Sequence, residues 1–392
     1  MSEWKTLDDT YVATTYKRFP VEIVSGEGSL VFDAEGRRYI DMGSGIGVTA
    51  FGHADPEWIA AVTAQLGKVS HTSNLYYTEP CARLAALLCE KTAMKRVFFG
   101  NSGAEVNECA IKVARKYAAE KRGLEDAVIV TLKNSFHGRT LTTLAATGQD
   151  HFHKLFRPLT PGFVHAEANN LEEMTSIFDS YPVAAVLLEC VQGEGGVIAL
   201  DGEYLKALER LLRERDILLM IDEVQTGNGR TGELYAYMHA GLTPDVVTTA
   251  KGLGGGLPIG ACLLGERVEA VLGYGDHGST FGGNPAAAAG ALSVLSRIDG
   301  DFLAAVRRKS ERVRKALEGA RGIKSVSGLG LMIGIETVRP AAEVVSDCIA
   351  AGVLCLTAKT KVRLLPALNI DDAVLDEALS VLLAAAAKGV DA

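Results

Sequence analysis

The sequence predicts an α/β protein: a large domain built on a mostly parallel sheet, followed by a smaller α+β domain. Three observations carry this. From about residue 96, short apolar runs alternate with amphipathic stretches, the rhythm of buried strands and crossover helices. After about residue 300 the texture changes to a charged helix, two closely spaced strands and a final helix. The 392 residues, 48% hydrophobic and 22% charged, suffice for a large core and a second domain.

The strand-like runs are Val97-Phe98-Phe99, Val128-Ile129-Val130, Ala185 to Leu188, Ile217 to Ile221 and Val246-Val247-Thr248. Helix-like segments such as Tyr204 to Arg215 separate them. Pro285 reads as a first helical residue, where its missing N–H costs nothing, and Ala286 to Ala289 suggest a closely packed, buried helix. In the C-terminal region Arg307 to Glu318 reads as a helix, with strand-like runs at Ile323 to Val326 and Leu331 to Ile335. The last helix places Val374, Leu375, Ala378, Leu379, Leu382 and Leu383 on one stripe. No repeat or low-complexity tract interrupts the chain.

Composition excludes several classes. A formal net charge of -8 argues against a nucleic-acid surface, which needs many Lys and Arg side chains to neutralise phosphates. Seven cysteines with no CxxC pair fit reduced thiols in a cytoplasm better than a disulfide framework or a zinc site. Met1 to Tyr11 carries Glu3, Lys5, Asp8 and Asp9 with no apolar run behind it, unlike a secretory signal. No run reaches the roughly 18 apolar residues of a membrane helix, so no membrane partner is expected. His151 and His153 lack an HExxH context and are expected at the surface rather than on a metal. No Walker motif occurs, and Gly328 to Gly334 misses the dinucleotide spacing.

Three segments carry chemistry. In Phe99 to Glu105 a strand ends in small and polar residues and a helix begins, with Val106, Cys109, Ala110, Val113, Ala114 and Tyr117 marking its buried face. Its unpaired N–H groups around Ser102 and Gly103 suit a phosphate, although by itself the segment is better explained as an ordinary capped helix, since strand-turn-helix junctions are common. The run Ile217 to Ile221 delivers Asp222 at a strand end, where ligands of open α/β sheets bind. Alone, Asp222 is as well explained as a helix cap. Lys251 follows an apolar strand and precedes Gly252, Gly254, Gly255 and Gly256, where burial can lower a lysine's pKa and permit Schiff-base chemistry, although alone it reads better as a surface lysine in a flexible loop. Together, phosphate donors, a carboxylate and a lysine form the set that pyridoxal phosphate requires. Arg139 and Arg363 read by default as solvated surface residues.

With these motifs the chain resembles the class III (ω-amino) aminotransferases of the type I pyridoxal-phosphate fold, and within them the acetylornithine branch. The landmarks are Gly45 to Val48, Gly52-His53, Ser73-Asn74, Asn101 to Glu105, Phe136 to Thr140, Gln192 to Gly196, Asp222 to Gln225, Lys251 and His277 to Thr280. Two departures are Cys190, where the family usually has proline after Glu189, and Leu364-Leu365 before Pro366.

The resemblance implies pyridoxal 5'-phosphate as cofactor, Lys251 as its Schiff-base lysine and Asp222 as partner of the ring nitrogen. Ser102, Gly103 and Ala104 would hold the phosphate, Phe136 and Val224 would sandwich the ring, and Gln225 would touch its phenolic oxygen. Thr280 would reach the phosphate of a neighbouring subunit, which implies a homodimer. Arg139, with Tyr16 and Ser279 nearby, would bind the substrate carboxylate, and Arg363 the α-carboxylate of glutamate. Glu194, set among Gly193, Gly195 and Gly196, is expected to gate Arg363, as a partly exposed pair worth about 0 to 1 kcal/mol that opens easily. A static bridge holding the loop is the alternative. The domains implied are an N-terminal segment over residues 1–55 that packs with the small domain, a large cofactor-binding domain over 56–295 and a small domain over 296–392. The expected reaction moves the terminal amine of N2-acetylornithine to 2-oxoglutarate. Ornithine, succinylornithine and 4-aminobutyrate are the rival donors, and a non-catalytic cofactor carrier is the rival outside catalysis.

Overall fold

The computed structural model describes residues 3–390; Met1, Ser2, Asp391 and Ala392, which the reading of the N-terminus and the two outer domain ranges include, lie outside the described residues. The chain opens with a helix, Glu3–Tyr11, that buries none of its residues. An antiparallel set follows: β1 (Ile23–Glu27), β2 (Leu30–Asp33) and β3 (Arg38–Asp41).

The central sheet comprises β4 (Arg96–Gly100), β5 (Val128–Leu132), β6 (Phe163–Ala166), β7 (Val183–Leu188), and, beyond a small hairpin of β8 (Val191–Gln192) and β9 (Ile198–Ala199), β10 (Leu218–Asp222), β11 (Val246–Thr249) and β12 (Gly260–Leu264). Its order is β4-β12-β11-β10-β7-β5-β6. Only β12 runs against its neighbours, so the sheet is mostly parallel as expected. Every residue of β7, β10, β11 and β12 is buried, which explains their unbroken apolar runs. Two strands of this sheet escaped the sequence reading. β6, Phe-Val-His-Ala, is short and broken by a histidine, while β12 emerges from a glycine-rich loop and starts with small residues.

The helix predicted from Pro285 runs Pro285–Ser296, with Asn284 accepting from the N–H groups of Ala286 and Ala287. It packs so closely on the Pro56–Leu66 helix that a Cβ at Gly290 would stand 2.8 Å from Trp58 Nε1. The charged helix is longer than its apolar pattern suggested, Gly300–Leu317, because Asp299 caps it by accepting from Phe302 N–H at 2.8 Å.

The C-terminal strands β13 (Ile323–Leu329), β14 (Met332–Thr337), β15 (Val353–Leu354), β16 (Leu356–Ala358) and β17 (Lys361–Leu364) precede the final helix, Asp372–Ala387. Four of them form a sheet in the order β13-β14-β17-β16. The fifth, β15, pairs in parallel with β3, Val353 opposite Ile40. The last helix buries Leu375, Ala378, Leu379 and Leu382 from its predicted stripe. Among the described residues no helix is long and apolar enough to cross a membrane, and all seven cysteines are free thiols.

Candidate active site

Five strands of one direction end on one side of the sheet, and each delivers a functional side chain at its last residue or in the loop that follows. β4 leads to Asn101 and Ser102, β5 to Phe136 and His137, β7 to Glu189, β10 to Asp222 and β11 to Lys251. They line one cavity of about 410 Å³, together with Gly103, Ala104, Arg139, Val224 and Gln225. That is the carboxyl edge where open α/β sheets bind ligands.

The amino end of the Gly103–Arg122 helix forms one wall. Ser102 Oγ accepts from Glu105 N–H at 3.3 Å, and the Glu105 carboxylate returns bonds to Asn101 N–H at 2.9 Å and Ser102 Oγ at 3.0 Å. A first helical turn has N–H groups with no intrahelical partner, and those of Gly103 and Ala104 belong to residues of the cavity wall. A Cβ at Gly103 would lie 2.6 Å from Val224 Cγ1, so only glycine lets the helix end and Val224 meet.

Asp222 is not a helix cap. Only 3% exposed, it accepts at Oδ2 from Asn107 Nδ2 at 2.7 Å, with His137 Nδ1 at 2.8 Å, and at Oδ1 from Val224 N–H at 3.0 Å. Asn107 is itself held, donating to the His137 carbonyl at 2.8 Å and accepting from Thr248 Oγ1 at 2.6 Å. Lys251 stands opposite with φ 44°, a left-handed conformation that a lysine keeps only when its surroundings hold it. Burial pushes its ammonium below the ordinary lysine value, against the pull of Asp222 and Glu194. Burial, reinforced by the Asp222 charge, pushes the Glu189 carboxyl well above the usual range, and Glu189 Oε2 accepts from Phe136 N–H at 3.0 Å.

A second group adjoins the cavity. Glu194, on the turn between β8 and β9, meets Arg363 Nη1 of β17 at 2.5 Å, and Gln225 touches both. Arg363 is 3% exposed, which overturns its default as a solvated residue: β17 lies between β14 and β16 and turns this side chain inward. Burial pushes the Glu194 carboxyl up, but the Arg363 charge and the bonds from Arg363 and Gln225 outweigh it and hold it below the usual range. Arg139 does sit at the surface, its guanidinium 4.2 Å from the Phe152 ring centre and 5.5 Å from that of Phe136.

Three expected residues stand apart within this single chain. Tyr16 is exposed on the N-terminal segment, Thr280 is exposed, and Ser279 reaches the cavity wall only through Asn101 Nδ2 at 3.3 Å. His153 corrects the sequence reading: it is buried, with Nε2 at 2.9 Å from the Leu144 carbonyl, because its short helix packs inward. Asn107, His137 and Glu189 received no role from the sequence. Asn107 was legible as a polar residue on the buried face of its helix, and Glu189 as a carboxylate at the end of an apolar strand, like Asp222.

The site fits an anionic, ring-bearing cofactor: helix N–H groups for a phosphate, Phe136 and Val224 as apolar walls, a fixed carboxylate and a buried lysine. A family model described as aminotransferase class-III matches residues 11–386. The chain is 54% identical over 380 residues to an acetylornithine aminotransferase of Haemophilus ducreyi, covering 96% of this chain and 97% of the relative. To one of Methanocaldococcus jannaschii it is 42% identical, covering 97% and 96%. Among solved structures, an ornithine aminotransferase of Toxoplasma gondii, described with pyridoxal phosphate at partial occupancy, superposes with a TM-score of 0.93 at 31% identity, covering 98% of this chain and 94% of that one. An N-acetylornithine aminotransferase of Stenotrophomonas maltophilia gives a TM-score of 0.84 at 36% identity, covering 97% of each.

Proposed function

The chain belongs to the class III aminotransferases, and from that premise we infer that it moves the terminal amine of N2-acetylornithine to 2-oxoglutarate, giving N-acetylglutamate 5-semialdehyde and glutamate. Pyridoxal 5'-phosphate is the cofactor. The observation that carries the chemistry is the convergence of Lys251, Asp222 and the Gly103–Arg122 helix end on one cavity. The donor follows from the relatives: the 54% and 42% identical proteins bear the acetylornithine name, whereas the ornithine-named structure shares 31%.

Ser102, Gly103 and Ala104 would hold the phosphate, Phe136 and Val224 would enclose the ring, and Asp222 would pair with the ring nitrogen. When bound, the cofactor supplies a protonated ring that spreads the electron pair released at the donor carbon. Lys251, whose ammonium burial destabilises, would take a proton from that carbon and hand it to the cofactor carbon that takes up the amine, the transfer running backwards in the second half-reaction. Asn107, His137 and Val224 hold the Asp222 carboxylate in place. Arg139 receives the substrate carboxylate at the cavity mouth.

Two donors must share the site, and the Glu194–Arg363 pair separates them. Closed, it hides Arg363 from the α-carboxylate of acetylornithine, whose terminal amine must enter first. Open, it offers Arg363 to the α-carboxylate of glutamate. The buried arginine changes the expected energetics: a buried charge left alone is costly, so Glu194 leaves only as an incoming carboxylate replaces it. Arg363 Nε, buried with no acceptor while the gate is closed, gives that carboxylate a donor to satisfy.

A homodimer completes this reading. Leu75, Tyr76, Tyr77, Tyr274 and Phe281 are exposed around the Ser279-Thr280 segment, an apolar surface suited to a second copy whose site Thr280 would enter. Pairing of β3 with β15 supports an N-terminal segment over residues 1–55 that packs with the small domain of 296–392, beside the large domain of 56–295. Free cysteines throughout accord with the cytoplasm. Steady-state kcat/KM for acetylornithine, ornithine, succinylornithine and 4-aminobutyrate against 2-oxoglutarate tests the assignment. Acetylornithine should lead; preference for ornithine would replace it, and no turnover with any donor would leave a cofactor carrier.

A further inference from the structure

Between Glu194 and Arg363 stands a third side chain. Gln225 donates from Nε2 to Glu194 Oε1 at 3.2 Å and accepts at Oε1 from Arg363 Nη1, also at 3.2 Å. Both charged atoms that meet each other therefore also meet the same amide. Its orientation is dictated by charge: turned over, it would set N–H groups against the guanidinium and an oxygen against the carboxylate.

The backbone beneath Gln225 is tied down on both sides. Val224 N–H bonds to Asp222 Oδ1 at 3.0 Å, and Thr226 Oγ1 donates to Glu223 Oε2 at 2.5 Å, with Glu223 Oε1 accepting from Tyr237 N–H at 2.9 Å. Space is reserved for the amide as well: a Cβ at Gly193, next to Glu194, would lie 2.2 Å from Gln225 Oε1. A fixed, 8% exposed amide that spans a charge pair cannot follow Glu194 when it leaves. Opening the gate then breaks Gln225's bond to Glu194 together with the ion pair.

We propose that Gln225 is a specificity-determining residue, a neutral clasp that holds the Glu194–Arg363 pair shut and so sets how strongly a dicarboxylate must bind to open it. This rests on the gate described above. A neutral amide suits the task because it bonds to both partners without repelling either, whereas a carboxylate would repel Glu194 and an ammonium Arg363.

Gln225→Met keeps length and apolar volume but removes the clasp, while Glu194→Ala removes the gate. Two measurements read the effect: single-turnover rates of the glutamate and acetylornithine half-reactions, and calorimetric binding of glutarate, a dicarboxylate with no amine to react. Glutarate has no amine to react, so its affinity reads the gate apart from any loss of contact between the amide and the cofactor. Gln225→Met should raise the glutamate-to-acetylornithine rate ratio, and tighten glutarate, by about fivefold to tenfold, the scale of one hydrogen bond to a charged group. A damaged site would instead weaken glutarate. If Glu194→Ala leaves the ratio unchanged, the gate itself fails. If Glu194→Ala raises the ratio while Gln225→Met leaves ratio and glutarate affinity unchanged, or weakens glutarate, the gate stands and the clasp is overturned.

Discussion

Gly103→Ala isolates the contact on which the cofactor cradle rests. The added Cβ would stand 2.6 Å from Val224 Cγ1 and 3.0 Å from Cγ2, well inside the roughly 3.5 to 4.0 Å of normal carbon contacts. Val224 cannot simply retreat, because its N–H holds Asp222 Oδ1 at 3.0 Å and Asp222 is fixed in turn by Asn107. Overpacking of this kind costs about 1 to 3 kcal/mol. Alanine's better helix propensity returns at most about 1 kcal/mol, and less at a first helical position. The net loss of about 1 to 2 kcal/mol falls on two walls of the cavity, so cofactor affinity should drop about fivefold to thirtyfold. Titration of the apoenzyme with pyridoxal phosphate, followed by absorbance, measures it. Val224→Ala in the same chain removes the clashing methyls and should recover much of the loss, a coupling that a double-mutant cycle quantifies. Wild-type affinity in Gly103→Ala, or a double mutant no better than the single, would refute the steric argument.

Lys251→Ala should abolish turnover and the visible band of the lysine-bound cofactor; a variant that keeps both would remove Lys251 from its role. Mixing Lys251→Ala chains with impaired Thr280→Ala chains should restore activity, since one site of each mixed dimer holds neither lesion, and failure despite demonstrated exchange counts against a shared site. Burial pushes the Glu223 carboxyl up to about 7 from an ordinary 4.5. The folded state therefore keeps a proton that the unfolded chain has lost, and this contribution to stability falls as pH rises from about 4.5 to about 7, then stays flat. Glu223→Gln cannot titrate, so the melting temperature of the variant apoenzyme relative to wild type should climb across that window; a constant difference would show that Glu223 is ionised throughout.

Much of this protein is local and so was legible in the chain. A strand buried on both faces must be apolar throughout, which is why β7, β10 and β11 announced themselves, and with them the positions of Asp222 and Lys251 at their carboxyl ends. Helix caps act within one turn, so the Ser102 junction and the start at Pro285 could be read from neighbouring residues. What tertiary structure alone decided are relations between segments distant along the chain. Asp222 resembled a helix cap until Asn107 and His137 closed on it, and Arg363 resembled a surface residue until Glu194, 169 positions away in sequence, met it. His153 and the lone reversed strand β12 were misjudged or missed for the same reason: burial and pairing belong to the packed sheet. Local pattern reflects a segment's own backbone and face, whereas the ionisation, burial and partner of a polar side chain depend on which other segments fold against it.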